Sequence, residues 1–180
     1  MLFRSWFSGS RKEISEYLAR FDISGSALLC HNTLFDGCIL SWLFNIKPAL
    51  MLDTLSMARA VHGVDVGGSL AKLAERYNLG KKGEEVVMAE GKQRLDFTKE
   101  ELARYGEYCK NDVDLTFRLF QELSSAFPDD EIKLIDMTLR MFTEPVFHVD
   151  DALLQEREQE LRDEKTALLE SLIDRLKRSE

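Results

Sequence analysis

Three cysteines, three prolines, three histidines and two tryptophans in 180 residues leave little material for several common constructions. Cys30, Cys38 and Cys109 form neither an even disulfide set nor a Cys-x-x-Cys pair, so free thiols in a reducing compartment are expected and no zinc site is. His31, His62 and His148 lack ligand spacing, and structural or surface roles are expected for all three, with substrate contact open to His31. No apolar run approaches the length needed to cross a bilayer, and no basic start leads into an apolar stretch, so a cytoplasmic protein without a membrane partner is expected. Positive charge is scarce: 24 Lys and Arg face 32 Asp and Glu, for a net charge of -8. That balance excludes coating a nucleic acid by bulk electrostatics, but not a metal-mediated grip on one strand. Repeats at periods of roughly 20 to 50 residues and low-complexity tracts are also absent, which excludes solenoids.

What is present is an ordinary core-forming composition, 44% hydrophobic, arranged in alternating patterns. Residues 2–7 (LFRSWF) read as a short strand, and "KEISEYLARF" puts Ile14, Tyr17, Leu18 and Phe21 at helical spacing. "SALLCHN" is an apolar run too short for a helix, after which Asn32 is placed to cap a helix bearing Asp36. "ALML" followed by "DTLSMARAV" repeats the pattern with Asp53 as cap, and Ser69 opens a helix that Gly80 ends. A charged, glycine-bearing loop covers residues 81–97, where Lys81, Lys82, Lys92 and Arg94 are expected in solvent rather than on a phosphate backbone. Thr98 and Glu101 then form a capping-box signal for a long helix through Leu123. Pro128 closes that unit, "EIKLIDMTLRMF" reads as a further helix, and from Val149 a charged helix carries Leu154, Leu161, Leu168, Leu172 and Leu176 near one stripe. Strands alternating with helices imply an α/β layer architecture.

Two acids stand out. Asp36 sits in "CHNTLFDGCILSWLF", where a carboxylate among apolar neighbours loses hydration unless a metal or a positive partner compensates. On the long helix, Asp114 shares a polar face with Lys110, Arg118 and Glu122, whereas Asp112 shares a stripe with Tyr108, Leu115 and Leu119. Tyr108 precedes Asp112 by one turn, about 6 Å along the axis, so a phenol and a carboxylate project into one space. Hydrolysis of a phosphodiester at neutral pH uses clustered carboxylates that hold two divalent ions roughly 4 Å apart, which is chemistry that Asp36 and Asp112 could partly supply.

"HNTLFD" together with "YCKNDVDLT" resembles the second and third motifs of the DEDDy family of 3'-5' exonucleases, in the version found in the proofreading domain of bacteriophage and bacterial family-A DNA polymerases. The resemblance runs over residues 3–127 and includes "LDTLSMARAV" and "SLAKLAERYNLG"; "LIDMTLRMFTEPVFHVDDALL" resembles the segment leading toward the polymerase thumb. It implies a ribonuclease-H-like α/β domain over residues 1–127, with a mixed sheet flanked by helices. Residues 128–180 would then be a helical extension linking to a C-terminal polymerase domain. It further implies Asp36 as a metal-site carboxylate, Asp112 as a direct metal ligand and Tyr108 as the residue positioning the nucleophilic water. His31 and Asn32 would lie where the strand's terminal nucleotides bind, the substrate would be a single-stranded DNA 3' end, and the cofactor Mg2+ or Mn2+.

The family's first motif, an Asp-x-Glu on the leading strand, belongs before the segment resembling residues 2–7, where only Met1 and Leu2 stand. A truncated domain with an incomplete sheet and an exposed strand edge is therefore expected, either as a fragment, from an internal start, or in a descendant that gave up catalysis. Weak or absent nuclease activity follows from that expectation. The rival readings are a non-catalytic domain that binds a strand end or braces a polymerase, and a helical interaction module centred on the charged tail. Asp53 resembles a family position too, but its local chemistry is that of an N-cap.

Overall fold

The computed structural model describes residues 5–83 and 89–177, and the chain divides into two compact units, Met1–Glu144 and Pro145–Glu180. The first unit is mixed α/β and mostly helical. Helix α1 (Arg11–Leu18) is opened by a capping box in which Ser10 accepts from Glu13 N and Glu13 returns to the Ser10 backbone. Two short apolar runs, β1 (Ala27–Cys30) and β2 (Leu50–Asp53), pair in parallel from Ala27 opposite Leu50 to Cys30 opposite Asp53. Parallel partners need a crossover, and it is supplied by α2 (Thr33–Cys38), whose continuation Ile39–Leu43 widens to π-helical spacing.

Among the described residues these two strands are the whole sheet, so the mixed sheet expected from the sequence is reduced to one parallel pair. Of the strand expected over residues 2–7, residues 2–4 lie outside the described residues and Ser5, Trp6 and Phe7 run as irregular chain. Their rings are committed to helices instead. Phe7 stacks on Tyr17 at 4.5 Å, and Trp6 meets Tyr105 edge-on at 5.9 Å. Trp6 lies flat enough on Gly106 that a Cβ there would come within 2.7 Å of the indole.

The core is built where α3 (Thr54–His62) and α4 (Leu70–Arg76) meet the long helix α5 (Lys99–Ser124). Met57, Ala58, Leu70, Leu73, Ala74, Leu115, Leu119 and Leu123 are buried there. The Thr98 and Glu101 capping box opens α5. Leu115 and Leu119 face this core on the stripe that also carries Tyr108. Helix α6 (Asp129–Thr143) packs on α2 and β2: Asp136 Oδ1 accepts from Met51 N at 2.8 Å, and Arg140 donates to the carbonyls of Pro48 (2.9 Å) and Ala49 (3.1 Å). In the second unit, α7 (Asp151–Lys177) exposes its described residues throughout and carries same-helix ion pairs such as Glu158 with Arg162 at 2.6 Å. None of the described helices is long and apolar enough to cross a membrane.

Candidate active site

The site begins at the corner where β1 turns into α2, and the turn is made by an acid from the neighbouring strand. Asn32 takes a left-handed conformation (φ 72°) and occupies the cap position, yet its side chain makes no capping bond. The capping acceptor is Asp53, which is 3% exposed. Its Oδ1 receives Asn32 N at 2.8 Å and Thr33 N at 3.2 Å, while the same carboxylate caps α3 through Leu55 N and Ser56 N. One buried carboxylate thus starts two helices, since the exposed N–H groups of each first turn need an acceptor.

His31 is fixed at the same corner. Its Nε2–H donates to the Gly68 carbonyl at 2.7 Å, so in the neutral ring Nδ1 accepts from the Thr54 hydroxyl at 2.8 Å. Burial holds its pKa below the ordinary histidine value, which favours that neutral form. Both ring nitrogens are spent within the protein, and Asn32 is exposed beside it.

Asp36 lies one turn into α2, half-buried. Burial raises its pKa, opposed by a hydrogen bond with the Cys30 thiol. Burial, together with the Asp36 charge, pushes the Cys30 thiol far up in turn, so it is a neutral donor rather than a nucleophile. Asp112 reaches the same space from α5. Both acids line one cleft of about 460 Å³ with Cys30, His31, Ser69 and Lys82. Tyr108 sits one turn before Asp112, is buried, and has its pKa raised by burial. Asp112 Oδ1 is buried with no hydrogen-bond partner among the described residues.

The largest departure from the sequence expectation is Lys82. Expected in a solvated loop, it places its ammonium on Asp112 Oδ2 in an ion pair, donates to the Tyr108 hydroxyl at 2.6 Å and lies 4.7 Å from the centre of that ring. Burial pushes its pKa down, but the bonds to Asp112 and Tyr108 outweigh burial and raise it. The reason is long-range. Arg118 and Asn111, both on α5, hold the carbonyls of Leu79 and Lys81, so the backbone around Lys82 is anchored against the helix that carries Asp112. Lys92 is likewise paired, to Glu101 at 2.8 Å, while Lys81 is exposed. No spacing rule links Lys82 to Asp112 or Cys30 to Asp36; the one sequence signal for either is a polar or thiol side chain near a motif.

With this geometry in view, comparison with known families matches residues 17–127 to the 3'-5' exonuclease domain of family-A DNA polymerase type. The match spans more than half of the chain and contains the corner, the Asp36 helix and α5. The chain belongs to that 3'-5' exonuclease family. No curated protein and no solved structure matches it.

Exonuclease domains of this family generally use divalent metals, which makes the donor set testable. Asp112 Oδ1, unpartnered among the described residues, is the kind of atom a cation would take, and Asp36 shares its cleft. Among the described residues, however, no group of three or more His, Cys, Asp or Glu is close enough to hold an ion. These residues fit one weakly held cation at most and do not fit two.

Proposed function

We propose that the chain is the nuclease unit of a DNA-polymerase proofreading assembly, trimming single-stranded DNA from its 3' end, and that the chain as it stands does so weakly. The observation that carries this reading is that Asp36 and Asp112, both within the matched residues 17–127 and far apart in the chain, line one cleft. Asp112 and Asp36 would hold a divalent cation, Mg2+ or Mn2+, whose chemistry is to activate water and offset charge on the phosphate. Tyr108 orients the attacking water through its hydroxyl; a buried phenol whose pKa is raised is no general base. Asn32, exposed at the corner, and His31 face the terminal nucleotides. The ribonuclease-H-like arrangement, a polymerase domain following the helical segment 128–180 and a cytoplasmic location belong to the same proposal.

Weakness follows from charge. Two carboxylates supply -2 against +4 for two dications, and Lys82 already offsets part of that. Loss of one ion of a two-ion clamp costs on the order of a thousandfold in rate. The Lys82 pairing also favours a second reading, a domain that binds a strand end without cutting it. A test separates the two: a 5'-labelled oligonucleotide is incubated with the chain in Mn2+, with and without an added strand carrying Asp-x-Glu. Trimming that is slow without the added strand and faster with it supports the nuclease; binding without trimming in both supports the second reading.

A further inference from the structure

We infer that Lys82 is the built-in counter-ion of the Tyr108 and Asp112 pair, so that a divalent cation must compete with it for Asp112. This rests on the reading of Asp112 as a metal-site carboxylate. A surface lysine ordinarily keeps its ammonium in water, because ordering its long side chain costs rotamer entropy. Here the side chain is 26% exposed against 24% for Asp112, and the ammonium makes both available contacts. Its position is imposed from outside the side chain. Asn111 Nδ2 donates to the Lys81 carbonyl at 3.1 Å and Arg118 donates to the Leu79 carbonyl, with Gly80 (φ 131°) turning the backbone between them. The same helix therefore presents the carboxylate and pins the segment that neutralises it.

The pairing is incomplete. The ammonium takes Asp112 Oδ2, and Oδ1 is buried with no partner among the described residues, so that oxygen is where a divalent cation would first meet the carboxylate. A dication entering there would lie within a few ångströms of the ammonium, where like charges repel appreciably. Lys82 and the metal are thus alternatives on one carboxylate. Departure of Lys82 would at the same time break its 2.6 Å bond to the Tyr108 hydroxyl and leave the phenol to Asp112, coupling metal entry to the partner of Tyr108.

The experiment is calorimetric titration of the full chain with Mn2+ alone, comparing the unmodified protein with Lys82→Met, Lys82→Arg, Asp112→Asn and the double variant Lys82→Met with Asp112→Asn. Removal of the ammonium is expected to tighten Mn2+ binding about tenfold or more, Lys82→Arg to leave it unchanged or weaker, and the double variant to show no gain over Asp112→Asn. If Lys82→Met unfolds, Lys82→Gln makes the same comparison, with circular dichroism as the check on folding. Affinity unchanged or weakened in the folded charge-removing variant, while Asp112→Asn loses binding, overturns the counter-ion and leaves the Asp112 reading standing. Affinity unchanged in Asp112→Asn overturns that reading itself.

Discussion

Replacing Asp53 by alanine should destabilise the first unit by about 2–4 kcal/mol, because that carboxylate starts two helices at once. It receives five hydrogen bonds: from the backbone N–H groups of Asn32, Thr33, Leu55 and Ser56 and from the Ser56 hydroxyl at 2.6 Å. Loss of the α3 cap costs about 1 kcal/mol. Thr33 is fully buried, so its N–H is left without water or an acceptor, at about 1–3 kcal/mol. Asn32 is exposed and its N–H recovers by hydration, so it adds little. Against a typical total of about 5–15 kcal/mol this is a large fraction. Urea unfolding followed by circular dichroism should show the midpoint falling by about 1–2 M at a slope of about 2 kcal/mol per M. Asp53→Asn, which keeps one carbonyl oxygen, should lose roughly half as much. A loss below about 1 kcal/mol for Asp53→Ala would refute the double-cap argument and reopen a catalytic role for this acid.

Glu101 contributes differently. The Lys92 ammonium and the Thr98 backbone lower its pKa from 4.5 to about 2, so its contribution is present above pH 4.5 and is lost as pH falls toward 2; Glu101→Gln should flatten that part of the stability profile. Asp36 has the opposite sign: burial raises its pKa, so its ionised form weakens the fold at neutral pH, and Asp36→Asn should raise the thermal midpoint at pH 7 while abolishing any gain on acidification. Gly106→Ala should improve helix propensity by about 1 kcal/mol yet drive Trp6 off α5. In a Trp42→Phe background the Trp6 emission would then shift to the red with the fold retained, and an unchanged spectrum would mean that the indole does not lie on Gly106. Shortening the chain to end at residue 127 removes the bond of Asp136 to β2 and those of Arg140 to the Pro48 and Ala49 carbonyls before it, and should lower the urea midpoint; an unchanged midpoint would show that α6 is dispensable to the first unit.

Much of this was legible in the sequence because it is local. The wheel that separated Asp112 from Asp114 needed only the 3.6-residue period, and Thr98 with Glu101 announced the start of α5 three residues apart. The alternation of apolar runs with helices likewise pointed to an α/β class, and among the described residues its sheet is β1 and β2. What the sequence hid is made by contacts between distant segments. Lys82 meets Asp112 across 30 residues because α5 grips the Leu79 and Lys81 carbonyls just before it, and a glycine-flanked lysine run looks the same when it is solvated. Asp53 reads as the cap of its own helix, but nothing nearby reveals that it also serves Asn32 and Thr33 from the adjacent strand. His31 reads as a structural or surface residue open to substrate, and its partners Gly68 and Thr54 show only in the fold. The fate of Trp6 and Phe7 was obscured by their β propensity, which ring packing on Tyr105 and Tyr17 overrides.

The most direct measurement is the length distribution of a 5'-labelled single-stranded DNA oligonucleotide over time in Mn2+, with the unmodified chain and with Asp112→Asn, each checked for folding. Slow, stepwise shortening from the 3' end is expected, at least tenfold slower in the variant and unchanged by blocking the 5' end. Equal shortening by both proteins would contradict the assignment of Asp112, and no shortening by the unmodified chain, even with the added Asp-x-Glu strand, would contradict the nuclease itself.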